Sequence, residues 1–299
     1  MFTGCGTALV TPFRRDLSLD EEAMRRLVRR QIEAGINFLV PCGTTGESPT
    51  LTSAEQKRVV EITIEEARPH KVPVVAGAGG NNTAHVIETA CEFEAMGADG
   101  ILSVAPYYNK PTQEGLYQHY KAIAAAIRLP IILYNIPGRT GVNIEPATIA
   151  RLAEIGNIIG VKEASGNISQ MGVVLDLVPS KFLVLSGDDA ITLPLMALGG
   201  KGLISVSSNE IPAEMTRIVQ LALQNDFAAA REIHRRYSKL LEVNFIETNP
   251  GPVKAAMALM GLLEPVFRLP LVAPKPENVA KIRSALEAVG LIQQVYATR

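Results

Sequence analysis

Lys162 closes an apolar run, Ile158-Ile159-Gly160-Val161-Lys162. Alternation along a strand puts Lys162 and its neighbour Glu163 on opposite faces. A lysine turned into the mouth of a closed sheet loses hydration, which favours the neutral amine. Such burial brings an amine from about 10.4 towards roughly 7 to 8, where it attacks a ketone and forms an iminium. A strand-end lysine alone equally fits a snorkelling or ion-paired side chain; its company argues for chemistry. Tyr134 shares parity with Ile132 one run earlier and can face inward beside Lys162, as a proton carrier or as a core anchor. Gly43-Thr44-Thr45-Gly46-Glu47 sets two hydroxyls and backbone N–H groups between glycines. That is either a cradle for a carboxylate or an ordinary glycine turn, with Glu47 holding the loop. Arg139, within Pro137-Gly138-Arg139-Thr140-Gly141, offers a planar fork for a second carboxylate unless it is simply a surface residue. An imine-forming amine between two candidate carboxylate sites would suit a ketone substrate and a partner that also carries a carboxylate.

Other chemistries find little support. Asp188 and Asp189 lack histidines or spaced carboxylates nearby, so no metal is expected, and no cofactor motif occurs. The loop at 43–48 is not a GxxxxGK[ST] nucleotide loop, and the runs ending in SGDD and SSN lack a glycine-rich phosphate loop. The substrates are therefore expected to be unphosphorylated. His70, His85, His119 and His234 share no ligand spacing, and Cys5, Cys42 and Cys91 are odd in number and far apart. They read as reduced thiols of a cytoplasmic protein.

Those residues need a scaffold, and the chain supplies one. Eight short, nearly continuous apolar runs recur at 7–13, 37–43, 72–79, 99–106, 130–137, 158–165, 182–189 and 202–209. Strands covered on both faces look like this. Amphipathic segments separate them. Ser18-Leu19-Asp20-Glu21 and Thr52-Ser53-Ala54-Glu55 read as capping boxes, and Gly35, Gly97 and Gly199 as helix stops. Eight strand–helix alternations predict an α/β fold, a (β/α)8 TIM barrel over 1–224, with its chemistry at the C-terminal strand ends. Helices expected at 226–241, 250–262 and 276–290 make 225–299 a C-terminal helical extension. The 299 residues are 47% hydrophobic and 20% charged, with net charge −1. That balance gives no reason to expect nucleic acid or a membrane surface. The N-terminus lacks a cationic leader, and no apolar run reaches the roughly 20 residues of a membrane span.

GTTGES (43–48), PYYNKPTQEGLYQHY (106–120), YNIPGRTG (134–141), IIGVKEASGN (158–167), LSGDD (185–189) and NPGPVKAAM (249–257) together resemble the dihydrodipicolinate synthase family, also called 4-hydroxy-tetrahydrodipicolinate synthases. The resemblance runs the length of the chain and implies a lyase of lysine and diaminopimelate synthesis. Lys162 would form the imine with pyruvate, whose carboxylate would rest on Thr44 and Thr45. Tyr134, Thr44 and Tyr108 match the family's proton relay, with the Tyr108 position reaching across a subunit interface of a homotetramer, a dimer of dimers. Arg139 matches the arginine that takes the carboxylate of aspartate semialdehyde. Gly187 and Ile204 match positions lining the pyruvate pocket, the latter through its backbone. At the pocket where lysine inhibits some members, Ser48, Asn81 and Tyr107 match, but Ser53, Gln56 and His85 stand in place of two histidines and a glutamate. The resemblance therefore implies weak or absent inhibition by lysine. A sister aldolase such as N-acetylneuraminate lyase or a keto-deoxy sugar aldolase would keep Lys162, Tyr134 and the GTTGE loop, but would need hydroxyl partners at Arg139. A catalytically dead, pyruvate-sensing barrel predicts the loss of lysine, tyrosine or cradle, and none is lost.

Overall fold

The computed structural model describes residues 2–293. Its strands are β1 Gly4–Ala8, β2 Phe38–Val40, β3 Val75–Gly77, β4 Gly100–Val104, β5 Ile131–Asn135, β6 Ile158–Glu163, β7 Leu183–Ser186 and β8 Gly202–Ser205. All pair in parallel, in the order β2-β1-β8-β7-β6-β5-β4-β3. The two ends of that order meet through a Leu39–Val74 bridge, with Leu39 N–H donating to the Pro73 carbonyl and Gly77 N–H to that of Pro41, each at 2.9 Å. The sheet thus closes into a TIM barrel without free edges.

The helices are α1 Glu21–Glu33, α2 Ser53–Ala67, α3 Thr83–Met96, α4 Gln113–Ala126, α5 Pro137–Thr140, α6 Pro146–Leu152, α7 Ile168–Leu177, α8 Thr192–Ala197, α9 Pro212–Leu223, α10 Phe227–Val243, α11 Gly251–Leu259 and α12 Pro276–Ala288. Helix α2 opens on the expected capping box, Thr52 and Glu55 each bonding the other's backbone N–H. Helix α1 does not. There Asp20 is the cap, accepting from Ala23 N–H at 3.0 Å, while the Ser18 hydroxyl donates to Asp16. Asp20 directly precedes the helix, so its carboxylate reaches the first turn and leaves Ser18 two residues too early. Gly35, Gly97 and Gly199 all adopt the positive φ expected of helix stops.

The first strand also differs from its apolar run. It begins at Gly4, where Gly4–Thr7 pair with Gly202–Ser205, and ends at Ala8. Glycines make this possible: a Cβ on Gly6 would lie 2.2 Å from the Phe38 ring, which fills the barrel there. Inside the barrel Ala8, Phe38, Val40, Val75, Leu102, Ile132, Tyr134, Leu185 and Ile204 form one buried cluster. Residues of opposite parity face the helices, as Thr7 does when it donates to Gln31 at 2.7 Å.

Beyond α9 the chain lays α10 along α9 and α8, then brings α11 back to the barrel. Val253 and Met257 of α11 pack on Leu27 of α1 and on Val10 and Val206, just past the C-terminal ends of β1 and β8. Full burial of each such side chain contributes roughly 1.5–3 kcal/mol, enough to seat the helix on the barrel mouth. No helix among the described residues is long and apolar enough to cross a membrane.

Candidate active site

The register of β5 and β6 places Tyr134 opposite Lys162. Both turn into the barrel, and the Lys162 Nζ lies 4.3 Å from the centroid of the Tyr134 ring. Lys162 is only 5% exposed. Its burial lowers it from 10.5 to about 8; the Asp189 charge works against that shift and the Arg139 charge with it. Burial likewise pushes Tyr134 up to about 12, with Arg139 and Thr44 offsetting part of the rise. The tyrosine therefore stays a phenol at neutral pH. Glu163 faces the other way, accepting from Asn135 Nδ2 at 2.9 Å and Ser165 N–H at 2.7 Å. Gly187 follows β7, beside the lysine. A Cβ there would stand 3.0 Å from Lys162 Cε and 2.6 Å from the Ala164 Cβ, so the absent side chain is the room the lysine occupies.

A small cavity of about 40 Å³ lies over the amine, lined by Thr44, Thr45, Tyr134, Arg139, Lys162 and Gly187 among others. Six of the eight residues singled out in the sequence therefore converge on one space. Ile204 sits buried with Leu185 and Tyr134 inside the barrel, and Val206 rather than Ile204 lines the cavity. Tyr108 is not brought in by its own chain: it is 89% exposed, with φ 70°. The cavity shares Thr44, Tyr134 and Arg139 with a groove of about 510 Å³, whose far walls include Ser48, Ser53, Gln56, Asn81, His85 and Tyr107.

The cradle is held from the C-terminal part of the chain, by residues that sequence reasoning passed over. Thr45 Oγ1 accepts from Asn249 Nδ2 at 3.0 Å, and Arg139 donates to the Asn249 carbonyl at 3.1 Å. Glu47, in the left-handed region at φ 53°, forms a wholly buried ion pair with Lys254. Lys254 also donates to the Val266 carbonyl at 2.7 Å and lies against the rings of Phe13 and Phe267. Asn249 and Lys254 were visible within NPGPVKAAM, but nothing in a helix-flanking asparagine or a helical lysine announces a partner some two hundred residues earlier. Phe245 and Val206 complete the lining.

Asp189 is buried at the end of β7 and takes bonds from Ser205 Oγ at 2.5 Å, Val206 N–H at 3.1 Å and Ser207 N–H at 3.2 Å. Cys42 is buried, and burial pushes its thiol up to about 12, far from a reactive thiolate. His119 is held down to about 4 by burial, its Nδ1 2.9 Å from the Thr83 hydroxyl.

Known proteins match nearly the whole length of this chain. The model of the "Dihydrodipicolinate synthetase family" matches residues 1–289. The 4-hydroxy-tetrahydrodipicolinate synthase of Koribacter versatilis is 55% identical over 97% of this chain and 97% of its own. That of Chloroherpeton thalassium is also 55% identical, over 97% and 96%. Among solved structures, dihydrodipicolinate synthase from Aquifex aeolicus superposes with a TM-score of 0.95 at 45% identity, covering 97% of this chain and 99% of that one.

Proposed function

The chain belongs to the dihydrodipicolinate synthetase family, and from that premise we propose that it condenses pyruvate with L-aspartate 4-semialdehyde to give 4-hydroxy-tetrahydrodipicolinate. The observation that carries this reading is the buried amine of Lys162, brought to about 8 beside the Tyr134 phenol and between a hydroxyl cradle and an arginine.

In this reading the neutral amine attacks C2 of pyruvate while Thr44 and Thr45 take the carboxylate. Protons pass along Tyr134, Thr44 and the Tyr108 of a neighbouring subunit as the carbinolamine loses water. Loss of a methyl proton turns the iminium into an enamine. The enamine carbon attacks the aldehyde of the second substrate, whose carboxylate Arg139 holds. The amino group of that substrate then adds to C2, closes the ring and releases Lys162. Gly187 leaves room for the lysine, and the Ile204 strand contributes to the pocket wall. Residues 1–224 form the catalytic barrel and 225–299 its helical extension, with residues 1 and 294–299 lying outside the described residues. The assembly is a homotetramer of two dimers, working in the cytoplasm, and it needs no metal or cofactor. Arg139 favours this reading over a sugar-acid aldolase, because a polyhydroxylated aldehyde calls for hydroxyl partners at that position rather than a charged fork.

Intact-protein mass after borohydride treatment tests the reading. Wild type should carry a pyruvate-sized adduct, depleted by aspartate semialdehyde and not by sialic acid; Lys162→Ala should carry none. Absence of the adduct in wild type would sink the proposal.

Lysine should inhibit weakly or not at all. Ser53, Gln56 and His85 line the groove with no carboxylate among them to receive an effector's amino group. Inhibition by sub-millimolar lysine in a steady-state assay would contradict this.

A further inference from the structure

Asn249 touches both halves of the cavity. Its side chain donates to the Thr45 hydroxyl, and its main-chain carbonyl accepts from Arg139. It is nearly fully buried, it lines the cavity, and its Oδ1 has no hydrogen-bond partner among the described residues. A buried acceptor left unpaired is unfavourable, and proteins tolerate that mainly where function requires it.

The polarity of the Thr45 contact supplies the requirement. A threonine hydroxyl has one proton to give and lone pairs with which to accept. When Asn249 Nδ2 donates to Thr45 Oγ1, one lone pair is taken and the hydroxyl proton is turned away from the amide. For a hydroxyl lining a site that receives a carboxylate, that direction is the useful one. A bare threonine could rotate and offer the anion its lone pairs instead. The carbonyl contact to Arg139 ties the same residue to the second carboxylate site, so one asparagine sets the geometry of both.

We propose that Asn249 is a positioning residue for substrate binding, fixing the Thr45 hydroxyl as a donor toward the carboxylate of pyruvate while anchoring Arg139. The inference rests on the pyruvate reading above. The test uses the full-length protein and reads the pyruvate concentration that gives half-maximal borohydride trapping. Asn249→Ala removes the donor and should raise that concentration about three- to tenfold. Asn249→Asp, close to isosteric, turns a donor into an acceptor that captures the Thr45 proton, and should raise it further than Asn249→Ala does. The effect of Asn249→Ala should persist in a Thr45→Ser background, which keeps the hydroxyl, and vanish in Thr45→Val, which lacks it. Should Asn249→Ala fail to fold, Asn249→Asp in the same two backgrounds carries the test. A merely structural asparagine would lower the melting temperature and leave half-saturation alone. That result, or equal effects in both Thr45 backgrounds, overturns the proposal. Wild type that fails to trap pyruvate refutes the function itself; wild type that traps beside an unimpaired Asn249→Asp refutes only this inference.

Discussion

At the scale of single residues, the pH response of Lys162 is the most direct consequence of the site. With the amine at about 8, the protonated form dominates below that pH and cannot attack; above it the neutral form dominates. Pyruvate trapping should therefore rise with pH and level off above about 8. The buried Asp189 anion favours the ammonium, so Asp189→Asn should move the midpoint to lower pH, read from initial trapping rates across a pH series. A midpoint that stays fixed, or moves up, would contradict this electrostatic account. Lys162 and Tyr134 could be read from sequence because strand parity is a local rule, and the β5–β6 register then brings the two side chains opposite one another. Asn249 and Lys254 could not. Their partners, Thr45 and Glu47, are close only once the chain has folded.

At the scale of elements, α11 and its flanks hold the loop after β2. Glu47 and Lys254 are both fully buried, and removing one leaves the other charged and unpaired in a dry site. Lys254→Met should cost about 3–5 kcal/mol in denaturant unfolding, whereas the Glu47→Gln/Lys254→Met double variant should lose less. A double variant as unstable as the single one would show that packing, not the uncompensated charge, is responsible. Arg268 adds to the same latch, donating to Glu55 at 2.5 Å and to the Thr50 carbonyl at 2.9 Å, and it holds the Glu55 carboxyl down to about 2. The α2 cap was legible because both halves of a capping box lie within three residues. The α1 cap was misread because Ser18 and Asp20 both carry an acceptor, and only the backbone path decides which one meets the helix. β1 was displaced because its opening half is glycine and cysteine, which carry little strand signal until β8 pairs with them.

At the scale of the molecule, the barrel was legible because its eight apolar runs and the segments between them repeat one local pattern. The assembly of the site was not, because its far side belongs to other stretches of chain. Tyr108 is the clearest case, exposed on its own protomer yet expected in the proton relay of the next. Co-refolding Tyr108→Phe with Lys162→Ala should restore activity, since mixed assemblies contain sites with both wild-type residues. Mixtures that remain as inactive as their parents would place Tyr108 outside the neighbour's site. The latch between Glu47 and Lys254 also has a consequence in time. A protein is synthesised from its N-terminus, and domains begin to fold as they emerge. The strands that carry Tyr134 and Lys162 are made well before Asn249, Lys254 and Arg268. An emerging chain thus has the barrel strands of Tyr134 and Lys162 before it has the later-made residues that fasten the loop after β2.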